Sequence, residues 1–315
     1  MKQNLLSRRE FVRGAVGAAV AAGTLRGWGA AAAPAKLRLG GPAYAKADDP
    51  EAYVLAHRKL GYRAAFCPKL ALTETDRIRA FEQAFARHDV IPAEVGRWCN
   101  LMDADTEKRA KNMANVTEGL ALADALGARC CVDIAGSFNP TSWFGPHADN
   151  LTEKFFDAAV ENARKIIDAV KPKRTRFTYE AMGWAMPDSP DCYLRMIKAI
   201  DRPAFAVHLD PCNMVNSPDK FYRNTALLNE CFDKLGPWIV SCHAKDLTWE
   251  VEMNVHFREV APGKGVLDYA TYLKRIAQLP EPPTLMLEHL AKPEDYAGAR
   301  DHIFAVGKQA GLAFE

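Results

Sequence analysis

The chain lacks the features that mark several large classes of protein. Its apolar stretch near the N-terminus, residues 15–25, is too short to span a membrane. Its eight cysteines include no CxxC pair, so they do not predict a thiolate metal site, and buried free thiols are expected. It has no Ser/Gly-rich linker, no low-complexity stretch and no repeat with a period of roughly 20–50 residues. One folded domain is therefore expected.

A surplus of positive charge is also missing once the N-terminus is set apart. The whole chain has a formal net charge of +2. Residues 1–33 carry five lysines and arginines against one glutamate, a net of +4, which leaves −2 for residues 34–315. A protein without a basic excess is not expected to bind nucleic acid or an anionic membrane surface.

The N-terminus has the pattern of a twin-arginine export signal. The sequence SRREFV stands at residues 7–12, followed by the Ala/Gly-rich stretch and by four alanines at residues 30–33. We expect residues 1–33 to be a signal peptide and residues 34–315 to be the mature domain. The mature protein would then be periplasmic or secreted, with no stable membrane anchor, and it would fold and load its cofactor before export.

The mature chain alternates short apolar runs with amphipathic helical stretches. The predicted strands are residues 37–41, 64–67, 90–95, 130–134, 176–180, 205–210, 239–243 and 284–288. The predicted helices are residues 50–60, 76–87, 107–126, 152–170, 190–200, 225–235, 268–276 and 294–309. Strict alternation means parallel strands with crossover helices, and eight of each predict a (β/α)8 TIM barrel. The alternative is a doubly wound sheet, but the first strand is followed by Gly-Gly-Pro rather than GxGxxG.

Each of the last four predicted strands ends in a residue that can bind a metal. These residues are Glu180, Asp210, His243 and Glu288. Strand C-termini form the catalytic face of such a barrel, so the four side chains are expected to share one ion. Three carboxylates and one imidazole favour Mn²⁺, Mg²⁺ or Co²⁺, with Zn²⁺ or iron left open. Each residue also has an ordinary structural interpretation: a helix cap or ion pair for the glutamates, a turn before Pro211 for Asp210, and a core position for His243.

Three segments carry a resemblance to a known family. They are FTYE at residues 177–180, CHAKD at residues 242–246 and PGKGVLDY at residues 262–269. The second is similar to an H-x-K-D strand end and the third to a G-x-G-x-x-D-[FY] run before the last helices. With these segments the chain resembles the xylose isomerase-like superfamily of TIM barrels, which includes ketose 3-epimerases and inosose dehydratases. The resemblance covers nearly the whole mature chain.

The resemblance implies a metal-dependent sugar isomerase or epimerase. Glu180 and Glu288 would bind the metal and also act as acid and base on a carbon next to a metal-bound carbonyl. The export signal favours a non-phosphorylated sugar or keto-sugar as the small-molecule substrate. The alternatives are a lyase or dehydratase acting on 3-keto-glycosides or inososes, and a non-catalytic periplasmic sugar-binding protein. The family leaves room for a homo-oligomer, but no segment specifies an interface.

Five further residues are expected to contact substrate. Asn213 stands where many family members have a histidine, which favours one metal over the three-zinc site of the endonuclease branch. Lys245 lies two residues after His243 and so faces the same side of the strand, where it would contact substrate or reach solvent. Arg258, in the loop after the seventh strand, would hold a substrate hydroxyl or lie on the surface. Trp98 and Trp184 follow strands three and five and would stack on a sugar ring or pack a loop.

Two residues next to these sites are expected to play supporting roles. His208 shares the strand face of Asp210 one layer deeper, which suits a histidine of the core or one that supports the ligands. Asp246 faces the other way from Lys245 and is expected to hold the neighbouring loop.

Overall fold

The structure, a computed structural model, describes residues 36–315. The predicted signal at residues 1–33 lies outside the described residues, so its cleavage and the export that it implies stay predictions. Residues 36–315 contain ten strands: β1 (Arg38–Gly40), β2 (Ala64–Phe66), β3 (Ile91–Gly96), β4 (Cys130–Asp133), β5 (Arg176–Glu180), β6 (Phe205–Leu209), β7 (Ile239–Ala244), β8 (Asp246–Trp249), β9 (Phe257–Val260) and β10 (Thr284–Leu287).

Eight of the strands close a parallel barrel. Their order around it is β1-β10-β7-β6-β5-β4-β3-β2, and β1 pairs with both β10 and β2 to complete the ring. The helices are α1 (Pro50–Lys59), α2 (Thr75–Arg87), α3 (Thr106–Leu126), α4 (Glu153–Val170), α5 (Pro190–Ile200), α6 (Pro211–Met214), α7 (Pro218–Tyr222), α8 (Asn224–Leu235), α9 (Tyr269–Ala277) and α10 (Pro293–Gln309). The predicted (β/α)8 barrel is confirmed.

The apolar residues whose spacing predicted each helix or strand are the residues that the element buries. In α4 the apolar stripe, which includes Phe156, Ala163 and Ile167, is buried against the barrel. In β5 the aromatic rings of Phe177 and Tyr179 point outward and pack on Phe205 of β6. Because side chains alternate along a strand, Thr178 and Glu180 of β5 then face the barrel interior.

The chain also forms elements that the alternation does not predict. Strands β8 and β9 make an antiparallel hairpin between β7 and α9, and the short helices α6 and α7 lie between β6 and α8. Asp246 at the start of β8 accepts hydrogen bonds from the backbone N–H groups of Gly263, Gly265 and Leu267. A Cβ at Gly265 would lie 2.3 Å from an Asp246 oxygen, so this close approach needs glycine. The structure thus gives Asp246 its expected role in holding the loop.

Two further properties of the described chain concern its cysteines and its helices. All eight cysteines are free thiols, and five of them are buried. Among residues 36–315, no helix combines the length and the apolar character needed to cross a membrane.

Candidate metal centre and active site

Four side chains meet at the C-terminal ends of β5, β6, β7 and β10. They are the residues expected to bind a metal, here called the quartet: Glu180, Asp210, His243 and Glu288. One ligand atom from each residue lies within 4.8 Å of those of the other three. The side chains of the first three are at most 6% exposed and that of the fourth 10%. The structure therefore brings the predicted ligands together at one buried point.

Asp210 uses its two oxygens for two purposes. Its Oδ1 accepts a hydrogen bond from the backbone N–H of Asn213 at 3.1 Å and so caps α6. Its Oδ2 lies 3.4 Å from Nδ1 of His243 in the quartet. The turn-forming interpretation of this aspartate is thus confirmed, and its second oxygen faces the other members of the quartet.

The donor set of the quartet fits a divalent cation. Asp210 Oδ2 and Glu288 Oε1 are buried, and neither has an aligned hydrogen-bond donor in the described part of the chain. Both oxygens lie close to Nδ1 of His243, at 3.4 and 2.8 Å. Converging buried carboxylate oxygens beside one imidazole nitrogen are the donors that a hard or borderline metal ion prefers.

Lys245 reaches into the same cluster from β7. Its Nζ lies 2.9 Å from Asp210 Oδ2 and 2.5 Å from Glu288 Oε1, and its side chain is only 2% exposed. Burial alone would lower the pKa of Lys245, but Asp210, Glu180 and Glu288 outweigh that effect and raise it. The structure therefore places a charged ammonium group beside the quartet, on the side of the strand that the sequence predicts.

Neighbouring charges keep two acidic side chains of the quartet, Glu180 and Asp210, ionised. Burial acts to raise the pKa of Glu180, but His243 and Lys245 hold it well below its usual range. The pKa of Asp210 is likewise lowered, since Lys245 and His243 outweigh its burial. Burial acts to lower the pKa of His243, and the carboxylates of Glu288, Glu180 and Glu94 raise it. Ionised carboxylates are the form that binds a cation or accepts a proton.

Glu94 on β3 is a site residue that the sequence analysis missed. Its Oε1 lies 3.2 Å from Nε2 of His243, and its Oε2 lies 2.8 Å from Nε2 of His208. The hydroxyl of Ser241 donates to the same Oε2 at 3.1 Å. Burial acts to raise the pKa of Glu94, but the two histidines lower it far below its usual value. A lone acid inside the apolar run of residues 90–95 was the signal that could have found it.

A cavity of about 600 Å³ opens above the quartet. Its lining combines one polar group of side chains with one apolar group. The polar group is Glu180, Asn213, Lys245, Glu259, Glu288 and His289, and the apolar group is Phe66, Trp98, Ile134, Trp143, Phe144, Met182 and Trp184. This volume is in the range of small-molecule sites.

Four of the five residues expected to contact substrate lie at the cavity, and one does not. Trp98, Trp184, Asn213 and Lys245 line the cavity. Arg258 does not: its side chain is 67% exposed and donates to Glu250 at 2.9 Å.

Two of the lining residues orient Glu180. Trp98 Nε1 donates to Glu180 Oε2 at 2.8 Å, and Asn213 Nδ2 donates to Glu180 Oε1 at 2.9 Å. The indole of Trp98 folds back over Gly96, where a Cβ would lie 1.8 Å from the ring. Both oxygens of Glu180 are therefore held in place before any ligand binds.

Comparison with known proteins identifies the same architecture. A family model described as xylose isomerase-like TIM barrel matches residues 55–305. The structure is similar to D-psicose 3-epimerase with D-tagatose from Clostridium cellulolyticum H10, with a TM-score of 0.63 and 13% identity over 88% of this chain and 100% of the other. It is similar to 3-keto-D-glucoside 4-epimerase from E. coli, with a TM-score of 0.62 and 12% identity over 87% and 100% of the two chains.

A third similar structure contains a metal. It is a xylose isomerase-like TIM barrel protein from Mycobacterium smegmatis in complex with magnesium, with a TM-score of 0.59 and 17% identity over 85% of this chain and 91% of the other. No curated protein matches the chain in sequence. At these identities the likeness to solved structures establishes the fold.

Proposed function

Because the chain belongs to the family of xylose isomerase-like TIM barrels, we propose that it is a divalent-metal-dependent sugar isomerase or epimerase. The observation that carries the proposal is the quartet at the floor of the cavity, with two ionisable glutamates among its members. Glu180 and Glu288 come from β5 and β10, which β6 and β7 separate in the barrel. They therefore approach a bound substrate from different sides.

The quartet would hold one ion, and Mn²⁺, Mg²⁺ or Co²⁺ suits its oxygen-rich donors. When bound, the ion would polarise a substrate carbonyl and balance the negative charge that develops after deprotonation. The magnesium complex of the similar mycobacterial protein supports this choice of metals.

The protein's own residues would move the proton. Glu180 is ionised and oriented by Trp98 and Asn213, as a general base requires. Glu288 would return a proton from its own side, which gives epimerisation at a single carbon. If one carboxylate instead removes a proton from one carbon and returns it to the adjacent carbon, the result is isomerisation.

The cavity favours a substrate without phosphate. Lys245 is the one lysine or arginine among the cavity-lining side chains of residues 36–315. Its ammonium group is already matched by three carboxylates. No second lysine or arginine in the lining, among residues 36–315, is available for a phosphate dianion. The twin-arginine motif at residues 7–12 supports the same conclusion, because we propose that it exports the mature enzyme from the cytoplasm to a compartment where it meets free sugars or keto-sugars.

Proton exchange with solvent tests the proposal directly. The full chain would be incubated in deuterated buffer with a panel of ketoses and keto-glycosides, and loss of a carbon-bound proton would be followed by NMR. We expect exchange that EDTA abolishes and that Mn²⁺, Co²⁺ or Mg²⁺ restores. Glu180→Gln should stop exchange, whereas Arg258→Gln, outside the cavity, should leave it intact. Full exchange in Glu180→Gln, or in the presence of EDTA, would disprove the mechanism.

Lys245 favours elimination as the second candidate. An ammonium group buried beside the presumed base can protonate an oxygen that departs from the neighbouring carbon. A 3-keto-glycoside or an inosose would then lose that group and give an enone. Ultraviolet absorbance of the enone distinguishes this outcome, because an epimerase produces none.

A further inference from the structure

We propose that the apolar side of the cavity is a separate subsite that binds an aromatic aglycone attached to the sugar. The proposal rests on the proposed function, because it assumes that the reacting sugar ring lies against the quartet. The subsite is formed by four aromatic side chains, here called the aromatic wall: Trp98, Trp143, Phe144 and Trp184.

The aromatic wall exposes rings that a folded protein normally covers. Its four residues are 38%, 40%, 41% and 37% exposed. Three of the rings are also neighbours: the centroids of Trp143 and Phe144 are 4.9 Å apart, and those of Phe144 and Trp184 are 6.3 Å apart. Adjacent exposed rings that face a cavity form one continuous apolar surface, which indicates a binding site.

The loop that carries Trp143 and Phe144 is held in place from beneath. Asn150, which is fully buried, donates from Nδ2 to Ser137 Oγ at 2.9 Å, and that hydroxyl donates to the Gly145 carbonyl at 2.6 Å. Asn139 Oδ1 accepts from the backbone N–H of Ser142 at 2.8 Å. The two rings are therefore presented to the cavity by a fixed loop, and a ligand that meets them need not pay for ordering it.

The hydrogen bonds of the aromatic wall favour an aromatic group over a second sugar. Two of the three indole N–H groups of the aromatic wall are already used: Trp98 Nε1 donates to Glu180, and Trp184 Nε1 donates to the carbonyl of Phe144. The neighbouring lining residues Phe66, Ile134 and Met182 have no hydrogen-bonding side-chain N or O atoms. Sugar hydroxyls buried there would lose hydrogen bonds to water, whereas an aromatic ring would lose none.

The two sides of the cavity thus suit two different parts of one substrate. The polar side chains around the quartet, with Asn213, Glu259 and His289, suit the hydroxyls of the reacting sugar. A cavity of about 600 Å³ also has room for more than one ring. The substrate class that fits both sides is an aryl glycoside or its keto derivative.

A matched series of glycosides tests the subsite by binding alone. Phenyl and methyl β-D-glucopyranoside and cellobiose would be titrated by calorimetry into the full chain loaded with Mn²⁺, and the α-linked counterparts would be run in parallel. We expect the phenyl glycoside of one anomeric series to bind on the order of tenfold more tightly than its methyl partner, because its ring is buried against apolar side chains. Cellobiose, or maltose in the α series, should bind no more tightly than the methyl glycoside.

Three results would overturn the proposal: equal affinity for phenyl and methyl glycosides, no binding of either phenyl glycoside, or a disaccharide that binds as tightly as the phenyl glycoside. The double variant Trp143→Ala/Phe144→Ala should abolish the phenyl preference, and circular dichroism would check its fold. If that variant fails to fold, the wild-type series still decides. A phenyl preference without proton exchange on any substrate would refute the proposed enzyme while leaving the subsite, and exchange without a preference would do the reverse.

Discussion

The carboxylate of Glu94 accepts a hydrogen bond from His243 across the barrel interior, with Oε1 3.2 Å from Nε2. Because an ionised carboxylate only accepts, this contact fixes a proton on Nε2 and turns Nδ1 toward the other members of the quartet. The two residues are 149 positions apart in the chain. The orientation of the one nitrogen ligand thus depends on β3, a strand that contributes no member of the quartet.

This hydrogen bond predicts the effect of Glu94→Gln on metal binding. The affinity for Mn²⁺ should fall by roughly 10–100-fold, because the imidazole loses the group that orients it and raises its basicity. Calorimetric titration of the apo protein would measure it. Ser241→Ala is the matched control, since it removes a different hydrogen bond to the same carboxylate and should cost much less. Equal affinities of wild type and Glu94→Gln would show that the contact is merely structural.

Lys245→Met should have the opposite effect on the metal. The ammonium lies among the same carboxylates that would hold the ion, and a divalent and a monovalent cation about 4 Å apart repel by about 8 kcal/mol at an effective dielectric constant of about 20. We expect Mn²⁺ to bind at least about tenfold more tightly to the variant, measured in the same titration.

The apo form of Lys245→Met should in turn unfold at a lower temperature than the wild type, because its buried carboxylates lose their partner. The metal should then raise its melting temperature by more than it raises that of the wild type. Lys245→Arg keeps the charge and should resemble the wild type in both measurements. Weaker metal binding by Lys245→Met would contradict this account.

His57 predicts a dependence of stability on pH that is independent of the active site. It is 1% exposed, and its Nδ1 lies 2.9 Å from the Tyr53 carbonyl. Burial lowers the pKa of His57, outweighing that hydrogen bond. The unfolded chain therefore takes up a proton more readily than the folded one, and stability should fall as the pH drops below about 6.5. The loss of melting temperature between about pH 7.5 and about pH 5.5 should be smaller in His57→Gln. Identical slopes would assign the dependence to other groups.

Alanine substitutions at two glycines should change the free energy of unfolding in opposite directions. Gly265→Ala forces a Cβ to within 2.3 Å of Asp246 and of the Leu247 carbonyl, and it should cost about 1–3 kcal/mol of unfolding free energy. Gly298→Ala, in the exposed part of α10 with nothing within 4 Å of the new Cβ, should gain about 0.5–1 kcal/mol. Urea unfolding would measure both, and a stabilising Gly265→Ala would show that the loop can move aside.

The fold and the quartet were predictable because both depend on patterns within short segments: the spacing of apolar residues and the residue that ends each strand. The outward rings of Phe177 and Tyr179 imply that Glu180 faces inward, and the other barrel strands repeat that logic. Glu94 was not predictable as a partner of His243, because only closure of the barrel brings β3 opposite β7. The hairpin was missed for a different reason: β8 and β9 have only four residues each, and they lie between β7 and α9, outside the strand–helix alternation. Because the hairpin was not predicted, the sequence did not show which side of a strand Arg258 faces. The adjacent Glu259, and not Arg258, lines the cavity.

Gly96 has a consequence for the shape of the site. Its missing Cβ is what allows the indole of Trp98 to lie back against β3 and reach Glu180. The absence of this one methyl group therefore affects both the width of the cavity and the orientation of Glu180, the proposed base. A larger residue at this position would displace the indole and loosen Glu180 at the same time, so it should change both the shape of the cavity and, in the proposed enzyme, the rate of proton transfer.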